Sequence, residues 1–397
     1  MTMTRTTRAL ALGAALAAAS GAQAAVAQTD PMQVQPQGPP PAWSPDIDPQ
    51  MLAVIEQLDS FDIPPLHTLT PFQARMGKTP TDAVQAILMR TGMPPMPPRV
   101  DIDHRVVPGP TPQGVLVRTY TPRTGSGPFP VIVYAHGGGW VIANLDTYEP
   151  SARALAEKAN AIVVSVAYRQ APENKFPAAH DDVFAVYRWA TQNAQSMNGD
   201  PRRIALAGES AGGNLAVATA LTARQQGVPM PVHILSVYPI ADGDTQSPSY
   251  DRYAGAKPLN RPLMAWFFGH YLRGPQDARD PRISLVGAEY RGFPPVTIVN
   301  AQIDPLQAEG EQLAQRMRQA GVDVQQQTFP GVTHEFFGMA ALLEQAAQAQ
   351  DLAVGRLRAS FGAPGAGGTA MNMALGGDMG AAPAARRTEG IAVRKDP

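Results

Sequence analysis

The sequence predicts an α/β fold: a mostly parallel sheet flanked by helices, with a small helical cap ahead of it. Three observations carry that expectation. From Val115 onward, short strand-like runs alternate with helical patterns. Several of those runs are continuously apolar, as strands covered on both faces must be. A Gly-x-Ser-x-Gly turn at Gly208–Gly212 joins one such run to a helical one.

The strand-like runs are VLVRTY from Val115, VIVYAH from Val131, IVVSVAY from Ile162, RIALAG from Arg203, HILSVYP from His233 and PPVTIVNA from Pro294, with VQQQTFP ahead of Gly331. Helices are expected near Thr147–Ala159, Ala178–Ala194, Ala211–Gln226 and Ala308–Ala320. Two more precede the sheet. Asp48 can cap a helix whose first position suits Pro49 and whose apolar face is Met51, Leu52, Ile55 and Leu58. Thr81–Arg90 fits a second, with Val84, Ile87 and Leu88 on one side. Trp266, Phe267, Phe268 and Tyr271 cluster on a further helical stretch, as core packing or as the lining of an acyl pocket.

The ends read differently. Arg5 and Arg8, an apolar stretch from Ala9 to Ala19, and small-residue sites at Ala22-Gln23-Ala24 and Ala25-Val26-Ala27 form a signal-peptide pattern. A membrane span needs about 20 apolar residues, roughly twice what is present. The expected organisation is a signal peptide over 1–27, a proline-rich extended linker over 28–47, a helical cap over 48–100, a catalytic domain over 101–360 and a disordered tail over 361–397. The protein is expected to be periplasmic or secreted. With no cysteine, it has neither a disulfide framework nor a lipid-modified N-terminal Cys.

Formal net charge is −1, from 32 basic and 33 acidic residues with the signs interspersed. That gives no footprint for nucleic acid or a membrane surface.

The chemistry concentrates in a few places. In Gly208-Glu209-Ser210-Ala211-Gly212, a serine sits on a sharp strand-to-helix turn, its hydroxyl above the sheet and at a helix N-terminus that favours an anion. His136-Gly137-Gly138-Gly139-Trp140 follows the strand VIVYA. Such a glycine run can point N–H groups at one spot, and acyl transfer needs donors where a carbonyl oxygen becomes an oxyanion. Gly138, Gly139 and Ala211 are the expected donors, and His136 an orienting or packing residue. A serine hydroxyl needs a base, and the base an anion to fix its tautomer. Of seven histidines, His334 stands in a loop after a strand. Asp304 ends the strand VTIVNA, and the order Ser210, Asp304, His334 suits this architecture. Glu335 and Asp323 are the nearest competing carboxylates, but neither ends a strand. His67, His104, His180, His233 and His270 are expected to be structural or exposed. No metal-ligand spacing occurs, Asp181-Asp182 reading as dipole-complementing residues at a helix start, and no Gly-Lys-Ser/Thr phosphate loop is present. No cofactor is expected.

At these residues the chain resembles the hormone-sensitive-lipase-like family (bacterial family IV) of carboxylesterases, from about Asp48 to about Arg358. The motifs are HGGGWVIANLDTY from His136, SVAYRQAPENKFPAAHDD from Ser165, GESAGGNLA from Gly208, DPRISLV from Asp280, IDPLQAEGEQLA from Ile303 and GVTHEFFGM from Gly331. The resemblance implies an α/β-hydrolase fold, Ser210 as nucleophile, Asp304 as acid, His334 as base, the same oxyanion donors and an N-terminal helical cap. Tyr168-Arg169 and Ala171-Pro172-Glu173 match a segment that holds the glycine loop. Ala143 and Glu335 stand where glycine is common, and Ala308 where an acidic residue often follows.

The implied activity is hydrolysis of short- to medium-chain acyl esters, with a small-molecule ester as partner. An amidase, peptidase or polyester depolymerase would share the chemistry. A non-catalytic binding protein would be expected to lose a triad member, and none is lost. The sequence does not give the oligomeric state, a homodimer being one option.

Overall fold

The computed structural model describes residues 34–93 and 97–362. The expected signal peptide and the tail beyond Gly362 lie outside the described residues. Strands β1 (Val100–Val107), β2 (Val115–Pro122), β3 (Phe129–Ala135), β4 (Ile162–Val166), β5 (Gly199–Glu209), β6 (Ile234–Val237), β7 (Val296–Ile303) and β8 (Val324–Thr333) form one sheet. Its order is β1-β2-β4-β3-β5-β6-β7-β8. β1, β2 and β4 pair antiparallel, and from β4 through β8 every pairing is parallel. This is the α/β-hydrolase architecture that the motifs imply.

Alternation along the strands splits the core in two. Val131, Val133 and Ala135 of β3 face one layer, where α5 (Ala178–Asn193), α6 (Ala211–Gln225), α7 (Pro248–Arg252), α8 (Arg261–Tyr271) and α9 (Gln307–Gln319) pack. Ile132 and Tyr134 face the other, with α1 (Pro49–Asp59), α3 (Pro80–Arg90), α4 (Glu149–Ala159) and α10 (Glu344–Phe361). Each buried Val, Ile or Leu on these faces contributes about 1.5–3 kcal/mol relative to exposure, so both layers hold the sheet in place.

The cap begins as its sequence suggests: Asp48 Oδ1 accepts from the N–H groups of Gln50 and Met51, and Pro49 opens α1. A short helix α2 (Pro71–Met76), capped by Thr70, lies between the two expected ones. It is too short to show periodicity and so leaves no pattern in the sequence. The edge strand β1 also escapes the pattern. Its VDIDHRVV alternates charge with apolar residues, is exposed along most of its length, and is held by pairing with β2.

The linker expectation needs correction over its described part, residues 34–47. Here the chain packs back onto α1: Gln37 and Gly38 donate to the Glu56 carboxylate, and Ser44 and Ile47 are buried. The segment turns at Pro41–Ser44 and Ser44–Ile47, and its prolines do not stop it from covering a helix.

In the aromatic cluster, Phe267 and Tyr271 are buried in the core and Tyr271 stacks on Trp140 with centroids 4.6 Å apart. Trp266 is half-buried and donates to the Leu69 carbonyl at 3.2 Å. Core packing accounts for Tyr271, while Phe267 also lies against Gly139 and Trp266 meets the loop ahead of α2.

Candidate active site

Ser210 stands between β5 and α6 with φ 58° and ψ −119°. This conformation is costly for a residue with a Cβ, and such strain persists only where the surroundings impose it. They do so through glycine. A Cβ on Gly212 would lie 1.9 Å from the Ala135 carbonyl oxygen, and one on Gly208 2.1 Å from that of Gly212. Only hydrogen at both positions lets α6 start so close to the ends of β3 and β5.

The turn brings three side chains from separate parts of the chain into one hydrogen-bonded line. His334 Nε2 is 2.9 Å from Ser210 Oγ, and His334 Nδ1 is 2.6 Å from Asp304 Oδ2. Asp304 follows β7, and its other oxygen accepts the Leu306 N–H at 2.9 Å, which fixes the carboxylate. All three residues are buried. Burial opposes the imidazolium of His334, but the charge and hydrogen bond of Asp304, aided by Glu335 and Glu209, outweigh it and raise the pKa above the ordinary value. A serine oxygen, an imidazole and a carboxylate in this relation can move a proton off the hydroxyl as it attacks a carbonyl carbon.

Neither competing carboxylate takes the place of Asp304 at Nδ1. Asp323 pairs with Arg356 at 2.6 Å. Glu335 Oε1 lies 3.8 Å from His334 Nε2, on the serine side of the ring, and accepts from Tyr148 Oη at 2.5 Å.

The glycine loop lies over the turn. Gly138 and Gly139 have φ 95° and 57°, open to glycine and costly for other residues. A Cβ on Gly138 would lie 2.2 Å from the Ile142 carbonyl oxygen, and one on Gly139 2.2 Å from the Phe267 ring. Gly137 abuts the Tyr148 hydroxyl in the same way. The loop is tied down at its carbonyls: Tyr168 Oη donates to those of His136 and Gly137, Gln170 to those of Ile142 and Ala143. His136 stacks on Tyr168 at 4.2 Å, and burial lowers its pKa to about 4, so it packs as a neutral ring.

Asp182 does more than complement a helix dipole. It is buried and grips the Arg169 guanidinium and backbone N–H at 2.8–3.0 Å, which anchors the segment that carries Tyr168 and Gln170. Behind the turn, Glu209 is buried and accepts from Tyr134 and Tyr238. Burial, with the charge of Glu335, pushes its pKa up to about 7 against those hydrogen bonds. Sequence reasoning does not single out Tyr148 and Tyr238, although Tyr148 closes the HGGGWVIANLDTY motif and Tyr238 lies in the run HILSVYP. Their role depends on where α4 and β6 deliver them.

Among the described residues, no group of three or more His, Cys, Asp or Glu side chains could hold a metal ion, and no helix is long and apolar enough to cross a membrane.

Residues 132–338 match the α/β-hydrolase fold family. Carboxylesterase NlhH of Mycobacterium tuberculosis is 38% identical over 316 residues, 78% of this chain and 95% of that protein. The ethyl acetate hydrolase of Pseudomonas putida is 36% identical over 217 residues, 54% of this chain and 68% of that one. Among solved structures, a Pyrobaculum calidifontis esterase aligns with TM-score 0.71 and 32% identity, over 79% of this chain and 98% of that one. A thermostable Pseudomonas putida esterase aligns with TM-score 0.74 and 26% identity, over 81% and 99%. The chain belongs to the hormone-sensitive-lipase-like carboxylesterases of the α/β-hydrolase fold and is a carboxylic ester hydrolase.

Proposed function

We propose that this is an exported serine carboxylesterase for short- to medium-chain acyl esters, working through an acyl-enzyme on Ser210. The observation that carries the reading is the line Asp304–His334–Ser210, with spacings of 2.6 and 2.9 Å. Ser210 Oγ attacks the ester carbonyl while His334 Nε2 takes its proton, and the oxyanion is held by the N–H groups of Gly138, Gly139 and Ala211. The tetrahedral intermediate collapses, breaking the bond to the alkoxy oxygen, and His334 returns the proton to the departing alcohol. Water then repeats the cycle at the acyl carbonyl and releases the acid and Ser210. Asp304 keeps the imidazole oriented and offsets its transient charge. The relatives' names support ester substrates, and that of the Pseudomonas enzyme names the short ester ethyl acetate.

The test is hydrolysis of p-nitrophenyl esters from acetate to palmitate, with Ser210→Ala as the control. Activity is expected to peak at short or medium chains and to fall at least about a thousandfold in the variant. A folded Ser210→Ala protein that keeps most of its activity would refute the nucleophile, and a folded wild type inactive on every ester would point to an amide, a polyester or a binding role. Export is tested separately. The protein recovered from the periplasm of a Gram-negative host should begin near Gln28, and an uncleaved Met1 terminus on cytoplasmic protein would refute it.

A further inference from the structure

Glu335 is an expensive residue to place where it is. Its φ is 74°, in the left-handed region that suits glycine, and its side chain is half-buried, 20% exposed. Among the described residues no lysine or arginine pairs with it. The chain therefore bears both backbone strain and the partial burial of an acid at one position, next to the base.

The groups that face it come from every neighbouring element. Tyr148, at the start of α4, donates to Oε1 and fixes the carboxylate. His334 Nε2 lies 3.8 Å away, with Asp304 beyond the other side of the imidazole. Glu209, ending β5, sits in the same buried group, held by Tyr134 of β3 and by Tyr238 after β6. Tyr168, after β4, also feels the charge of Glu335, and the ring of His136 lies 5.9 Å from that of Tyr148. Within this set the imidazole is the one group that gains a positive charge during the reaction and stands beside the carboxylate.

We propose that Glu335 is a positioning residue for the base: held by Tyr148 beside His334 Nε2, its carboxylate adds a second negative charge across the ring from Asp304 and moves the acid limb of catalysis to higher pH. The proposal rests on His334 being the base. An anion at this distance favours the protonated imidazole, so a higher pH is needed to free Nε2 for Ser210. The same charge stabilises the imidazolium that forms as the serine attacks. Burial of the Glu335 carboxyl raises its own pKa, while His334 and the Tyr148 hydrogen bond pull it down, so an ionised Glu335 is best supported when His334 is protonated.

The experiment compares wild type with Glu335→Gln and Glu335→Gly in two assays from pH 5 to 9. One is kcat/KM on p-nitrophenyl acetate, and the other is the rate at which a fluorophosphonate inactivates Ser210. Gln keeps the shape and removes the charge, whereas Gly also releases the strained backbone and so protects against misfolding. The acid-limb midpoint is expected to move to lower pH by about half a unit or more in both variants and in both assays. An unmoved midpoint in either variant would overturn the proposal and leave Glu335 a structural residue. The inactivation assay separates failure of this proposal from failure of the ester reading, because it reports on Ser210 and His334 even if no ester is turned over.

Discussion

At Gly139 one hydrogen atom separates a working loop from a blocked one. Its φ of 57° strains any side-chain-bearing residue, and a Cβ there would meet the Phe267 ring at 2.2 Å. Gly139→Ala must therefore displace the loop or the ring, and either moves an N–H that we propose holds the oxyanion. Loss of one such donor costs roughly 3–4 kcal/mol in the barrier, about a hundredfold to a thousandfold in kcat. Steady-state kinetics on the folded variant check this, and an unchanged kcat would remove Gly139 from the oxyanion site. Ser210, Asp304, His334 and the glycines are legible in the sequence because their chemistry fixes residue type and local spacing together. The hydrogen bond of Tyr148 to Glu335 is not, since it joins residues 187 positions apart. The Ala143 and Glu335 departures become intelligible only in the structure, where both have positive φ, 66° and 74°.

Element by element, legibility follows burial. The runs that form β3 to β7 are apolar and central, so pattern alone places them. The exposed β1 and the short α2 depend on contacts with distant parts of the chain. α2 has the larger consequence, because its Arg75 joins the cap to the catalytic loops. Arg75 Nε donates to the Val141 carbonyl at 2.7 Å and Nη2 to that of Ala171 at 2.6 Å, while the guanidinium pairs with Glu173. The hydrogen bond from Arg75 is the main reason that the Glu173 carboxyl is lowered to about 2. Glu173 is mostly exposed, so the ion pair itself contributes little. The two charge-assisted bonds to carbonyls matter more, at about 1.5–3 kcal/mol each before relaxation. Arg75→Ala should loosen the cap without unfolding the sheet. The expected result is faster proteolytic nicking between Pro49 and Arg90 and a roughly tenfold lower kcat/KM, equivalent to about 1.4 kcal/mol. Arg75→Lys should not restore either, because an ammonium lacks the planar fork that spans two carbonyls. Unaltered nicking would sever the proposed tie.

At the scale of the whole molecule, the two-layered core buries ionisable groups of opposite type, and their effects on stability oppose each other. His136, His180 and His233 are lowered to about 4, by burial first of all. Between pH 6.5 and 4 the unfolded chain binds protons that these folded imidazoles refuse, so each makes stability fall as pH falls. Glu209, raised to about 7, and Glu309, raised by burial, behave in the opposite way. Above the ordinary carboxyl range, near pH 4.5, the folded state holds protons that the unfolded chain has released, so each of these makes stability fall as pH rises. Between about pH 4.5 and 6.5 the acids offset part of the histidines' effect, and thermal stability is expected to fall only gently as pH falls. Below that window the acids no longer compensate. Asp200, Asp277 and Asp280, lowered by their arginine partners against the cost of burial, lose those pairs as well, and stability should drop steeply. Glu309→Gln tests the balance. Its Oε1 accepts from the Ala241 N–H at 2.8 Å while Oε2 has no partner among the described residues, so an amide can replace the carboxyl with the accepting oxygen kept. Removing one of the opposing acids should steepen that slope, so that Tm rises more sharply with pH from 4.5 to 6.5 and the variant gains on wild type throughout that range. Scanning calorimetry at half-unit pH steps decides it. A variant whose curve runs parallel to wild type would mean that Glu309 is ionised in the folded protein, with a partner for its second oxygen.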